Sequence, residues 1–62
     1  MYAAEYYHIA KNAVRPAYGV VDFVVIDGQT GTRHYLARGI RVSGKREALK
    51  LAKAEGATPW NF

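Results

Sequence analysis

The sequence predicts a small α+β domain, a three-stranded antiparallel sheet with one C-terminal helix packed on one face, in the order βββα. Three observations carry that expectation. The stretch AYGVVDFVVIDG, Ala17 to Gly28, is rich in Val, Phe and Ile and runs into a turn-forming DGQTG. The stretch SGKREALKLAKAEG, Ser43 to Gly56, sets strong helix formers between a capping residue and a glycine stop. The chain of 62 residues has room for one domain, 1–62, and little more.

The first element is the least decided. EYYHIAKNAVR has the Tyr, Ile and Val content of a strand, closed by Pro16. The spacing of Ala3, Tyr7, Ala10 and Val14 also suits a helix, which leaves αββα as the alternative. The strand is preferred, because a hairpin and one helix alone make a poor core. In the second element Val21, Phe23 and Val25 point one way and Val20, Val24 and Ile26 the other. A strand apolar on both faces belongs at the centre of a sheet with both faces covered.

Glycines at both flanks of the Asp27–Gly31 stretch indicate a short hairpin loop into the third element, TRHYLARGIRV. Strict alternation puts His34, Leu36, Arg38, Ile40 and Val42 on one face, and Arg33, Tyr35, Ala37, Gly39 and Arg41 on the other. Arg38 spoils the apolar face, and Gly39 beside it marks a bulge that resets the alternation. In the helix, Lys45 to Glu55, Ser43 is the expected N-cap and Gly56 the stop. Ala48, Leu49, Leu51 and Ala52 share one arc, and Arg46, Lys50 and Lys53 form a basic ridge opposite. The tail ATPWNF is expected to bury Trp60 and Phe62, either by folding back over the sheet or by pairing two chains across it.

A domain this small buries only about 60% of its unfolded surface, so reinforcement is expected. The chain has no Cys, which excludes disulfides and thiolate metal sites, and two histidines, His8 and His34, are too few for a zinc site. No metal and no cofactor is expected, and a homodimer is the reinforcement left open. No run of about 18 apolar residues crosses a membrane. MYAAEYYHIAK does not read as a signal peptide, so the expected location is cytoplasmic.

The net charge of +4 is unevenly placed. From Arg33 to Lys53 seven basic residues face one acid, Glu47, while residues 1–32 carry −1. Within that segment GIRVSGKR, Gly39 to Arg46, nearly spells a phosphate-binding loop. Its spacing matches G-x-x-x-x-G-K, but Arg46 stands where a hydroxyl would hold magnesium. A nucleotide fold also needs several parallel units, and this chain holds about one. The simpler role is a strand-to-helix turn. The second role is an anion-attracting helix start with Lys45 and Arg46 beside it. His8, His34, Glu5, Asp22 and Asp27 are scattered, form no catalytic constellation, and point away from an enzyme.

In element order, with GIRVSGKREALKLA as a strand end leading into a helix, the chain resembles small DNA-binding domains built from a three-stranded sheet and one helix. The plant AP2-type domain and the arm-binding domain of tyrosine recombinases are of that build, and they lay the sheet in the major groove. Most of the Trp and Arg positions they use are missing here, so the resemblance is one of topology. The functional expectation is a small basic binding module for nucleic acid. Arg33, Arg38, Arg41, Lys45, Arg46, Lys50 and Lys53 would supply phosphate contacts and Tyr35 a stacking surface. The alternative is a protein-interaction or structural module, homodimeric, with no nucleic-acid role; its motive is the doubly apolar strand and the Trp60/Phe62 tail.

Overall fold

The computed structural model describes residues 1–9 and 18–62. The first predicted element is a strand, β1 (Tyr2–Ile9), which removes the αββα alternative. The end of that element, with Lys11 and Pro16, lies outside the described residues. It is followed by β2 (Tyr18–Ile26), β3 (Arg33–Val42), α1 (Lys45–Glu55) and a two-residue strand, β4 (Thr58–Pro59). The sheet order is β3-β2-β1-β4. β1 pairs antiparallel with β2, β2 antiparallel with β3, and β4 parallel with β1.

The expected three-stranded antiparallel sheet is therefore a mixed four-stranded one. β3 and β4 run in the same direction at opposite edges. Such a pair needs a crossover, and α1 supplies it, packing against all four strands. The fourth strand escapes a reading of the sequence because it is two residues long and contains Pro59, a residue tolerated only at sheet edges. The tail folds back along the outer edge of β1 rather than over the sheet. The Trp60 amide donates to the Ala4 carbonyl, and the Tyr6 amide donates to Asn61 Oδ1. Phe62 is half-buried with its ring 5.6 Å from that of Tyr6, but Trp60 stays half-exposed, against the burial expected of it.

The helix covers one face of the sheet. Ala48 and Ala52 are fully buried against Ala4, Val21, Phe23 and Val42, with Tyr2, Tyr6, Ile40 and Leu51 at the margin. Alanines at the contact let the helix lie close to the sheet, and each buried methyl contributes about 0.8 kcal/mol. Leu49 lies on the helix flank and remains exposed, so the apolar arc is narrower than the sequence implies.

The helix ends in the predicted place. Gly56 is left-handed (φ 69°), its amide donates to Lys53, and the Ala57 amide donates to Ala52, the paired bonds of a Schellman turn. Its start differs from expectation. The N-cap is Gly44, with no side-chain cap bond. Ser43 lies one residue earlier and donates its hydroxyl to Glu47. Glu47 also accepts the Ser43 amide, so the first-turn carboxylate reaches back where a cap hydroxyl would have reached forward.

β3 carries the predicted irregularity. Its register with β2 shifts between Val21 and Phe23 and again between Phe23 and Val24. Arg38 and Gly39 together oppose Asp22, and Gly39 takes φ 73°. The shift turns Ala37 toward the helix with Ile40 and Val42, and releases Arg38 to the other face.

Candidate functional site: the open face of the sheet

Opposite the helix, the sheet presents a layer of arginines and tyrosines. Register places Glu5 and Tyr7 of β1, Tyr18, Val20, Asp22 and Val24 of β2, and Arg33, Tyr35 and Arg41 of β3 on this face. The bulge adds Arg38. Val20 and Val24 are fully buried although, among the described residues, no helix lies over them. Side chains reach across the central strand instead. Tyr35 and Arg33 of β3 both bond Glu5 of β1, on the far side of β2. The central strand is thus covered on both faces, as its apolar pattern requires, but on this one by polar and aromatic side chains.

Two carboxylates organise the layer. Glu5 and Asp22 stand directly opposite each other on neighbouring strands, a like-charge pair that needs compensation. Glu5 has Arg33 and the Tyr35 hydroxyl. Asp22 is buried and accepts from the Gly39 amide (2.8 Å), the Tyr7 hydroxyl (3.1 Å) and Arg38 Nε (3.3 Å). Desolvation, and then its bond to Asp22, hold the Tyr7 phenol above the ordinary tyrosine range. The hydrogen bond from Arg33 to Glu5 raises the Arg33 pKa, so that guanidinium is firmly protonated.

Two guanidiniums stack on rings. The Arg38 guanidinium carbon lies 4.1 Å from the centroid of Tyr35, and that of Arg41 lies 4.4 Å from Tyr18. At such distances the ring quadrupole attracts the cation and fixes its plane. The face therefore holds three arginines whose orientations are set by carboxylates and rings before any partner arrives.

Of the eight residues expected to act together, the structure unites Arg33, Tyr35, Arg38 and Arg41. It does not bring Lys45, Arg46, Lys50 and Lys53 to the same place. These four belong to α1, on the other side of the sheet, all exposed. The sequence places both groups in one basic segment because β3 and α1 are contiguous; folding puts a sheet between them. Glu5, Asp22, Tyr7 and Tyr18 join the site and are not among those eight; Glu5 and Asp22 were weighed only as catalytic groups. Asp22 alone gave a signal, as the one charged residue in an apolar run.

GIRVSGKR spans the end of β3, the link and the first helical turn. Its Ser43 amide and hydroxyl are both taken by the Glu47 carboxylate. Beside it a cleft of about 510 Å³ is lined by His8, Tyr18, Arg41, Ser43 and Glu47 among others. His8 Nε2 bonds the Tyr6 hydroxyl rather than a nucleophile. Among the described residues, no group of three His, Cys, Asp or Glu side chains could hold a metal ion, and no helix is long and apolar enough to cross a membrane. No family model, no curated protein and no solved structure matches this chain.

Proposed function

We propose that this chain is a small nucleic-acid-binding module, not a catalyst, and that it binds through the open face of its sheet. One observation carries the reading. Arg33, Arg38 and Arg41 stand on a single face, each ordered by a carboxylate or a ring, with tyrosines interleaved. Guanidiniums match phosphate oxygens, and an arginine already held in place loses less freedom on binding than a mobile one. Charge supports it: among the described residues, three arginines on this face outnumber the two carboxylates beside them. The chain's net charge of +4 would steer an anionic polymer toward it.

The test is a titration into labelled duplex and single-stranded oligonucleotides at 50 and 200 mM salt. Two to three neutralised phosphates predict a roughly 10- to 40-fold loss of affinity between those conditions on duplex. Absence of binding at the lower salt would end this reading.

A second reading, a homodimeric or protein-interaction role, is favoured by Leu36, which is 64% exposed on the edge strand β3. The bulges in that strand interrupt its outer edge and work against continuous pairing with another chain. Sedimentation across a concentration series decides this reading: a mass that rises to twice the monomer supports it, and a constant monomer mass removes the homodimer.

A further inference from the structure

Resting on the proposed function, we infer that the open face prefers an unpaired strand, whose bases stack on Tyr7 and on the Arg38–Tyr35 pair while Arg33 and Arg41 meet its phosphates. The flat groups of this face converge. Tyr7 of β1 donates its hydroxyl to Asp22 Oδ1, and Arg38 of β3 donates Nε to Asp22 Oδ2. The Arg38 guanidinium lies over the Tyr35 ring, and the Tyr35 hydroxyl bonds Glu5, directly opposite Asp22. Arg33 folds inward onto the same Glu5 and the same hydroxyl. Two rings and a planar cation are thus gathered around two neighbouring carboxylates and held by their polar ends. Their flat surfaces stay open: Tyr7 and Tyr35 are 36% and 38% exposed, and the Arg38 side chain is 64% exposed.

What such a cluster prefers follows from what each nucleic acid offers it. In a duplex each internal base is stacked between its neighbours and shows a protein only its edge. An unpaired base shows a face, and base faces stack on aromatic rings and on guanidinium planes. The two tyrosine hydroxyls and the Arg38 Nε are already bonded, so these groups lose little freedom when a base settles on them. Charge on this face is partly offset, with three arginines against two carboxylates among the described residues. Stacking is therefore the contact that raises affinity above bare phosphate attraction, and only the unpaired strand supplies it.

The experiment uses fluorescence anisotropy at 50 and 200 mM salt, to separate stacking from phosphate attraction. The ligands are a deoxyuridine dodecamer and a uridine dodecamer, each beside an abasic strand of the same sugar and length, and a dodecamer duplex. The base-bearing strand of at least one sugar should bind about tenfold more tightly than its abasic counterpart, the size of one stacked base. It should also bind more tightly than the duplex at the higher salt, where phosphate contacts weaken. A gap with either sugar supports the inference, and the sugar with the larger gap names the source as DNA or RNA. Tyr7→Leu should close most of the gap. Tyr7→Phe, which also loses the bond to Asp22 but keeps the ring, should retain it. Arg38→Lys keeps the charge and loses the plane, and should narrow it. Circular dichroism confirms that the variants fold.

Abasic strands that bind as tightly as base-bearing ones would overturn this inference and leave the proposed function standing as phosphate binding. A duplex that binds as tightly as the single strands at the higher salt would overturn it too. A gap that closes in Tyr7→Phe as fully as in Tyr7→Leu would remove Tyr7 from the stacking surface. No binding of any strand or duplex at the lower salt would overturn this inference and the proposed function together. The abasic comparison uses wild-type protein, so a variant that fails to fold leaves it decisive.

Discussion

At the scale of single residues, Asp22 holds the most together. It is a charged side chain in the middle of VVDFVV, buried between strands, and its burial is tolerable because three donors converge on it. One of them, the Gly39 amide, exists in that position only because the strand bulges there. Asp22→Ala would leave this amide and the Tyr7 hydroxyl without their acceptor. It is expected to lower stability by about 2–3 kcal/mol, read from urea unfolding, while Asp22→Asn, which keeps one acceptor oxygen, should lose less. A loss below about 0.5 kcal/mol for the alanine variant, the ordinary effect of a surface change, would show that these bonds do not hold the sheet. The anomaly of Asp22 is visible in the sequence, but its partners are not. They lie 15 to 17 positions away in chain order, and the bulge that delivers two of them changes the alternation on which a strand reading depends.

At the scale of elements, the boundaries were legible where one residue type meets a specific backbone need. The helix span from Lys45 to Glu55 and its stop at Gly56 follow from helix formers and a left-handed glycine. The turn after β2 follows from Asp27, whose carboxylate accepts the amides of Gln29 and Thr30. The helix starts after Gly44 rather than at a Ser43 cap, because the Ser43 hydroxyl is spent on the Glu47 carboxylate of the first turn.

These two carboxylates give a pH signature. The amides of Gln29 and Thr30 hold the Asp27 carboxyl below its ordinary value. The Ser43 hydroxyl and then its amide do the same for Glu47. A lowered folded-state pKa contributes stability above the unfolded value and loses it as pH falls through the folded one. The thermal midpoint should therefore drop as pH falls below about 4, the ordinary carboxylate value. Asp27→Asn and Glu47→Gln should each flatten that drop, measured by circular dichroism melts across pH 2 to 7. Melts of both variants that fall as steeply as wild type would contradict the assignment.

At the scale of the whole molecule, the decisive feature is which side of the sheet each cation occupies. The order βββα was legible from β-branched and aromatic content in the strands and from helix formers in α1, with the first element decided by the need for a third strand to complete a core. The fourth strand was not, because a two-residue pairing is made by tertiary contact rather than by local preference. The candidate site was half legible. Arg33, Tyr35, Arg38 and Arg41 come from one strand and stay together. The helix cations, contiguous with them in sequence, end on the opposite side. Sequence distance reported a single basic segment of +6, and the fold divides it into an ordered arginine–tyrosine face and a solvated helical ridge.

That division supplies the most direct measurement. Two variants remove the same charge from opposite faces, Arg38→Ala/Arg41→Ala from the sheet and Arg46→Ala/Lys50→Ala from the helix. Each is titrated into one duplex at several salt concentrations. The predicted result is that the sheet variant loses affinity and its log–log salt slope shrinks by about one to two, while the helix variant keeps a slope near that of wild type. A helix variant that loses as much affinity and slope as the sheet variant, or more, would contradict the account and move the binding surface to α1.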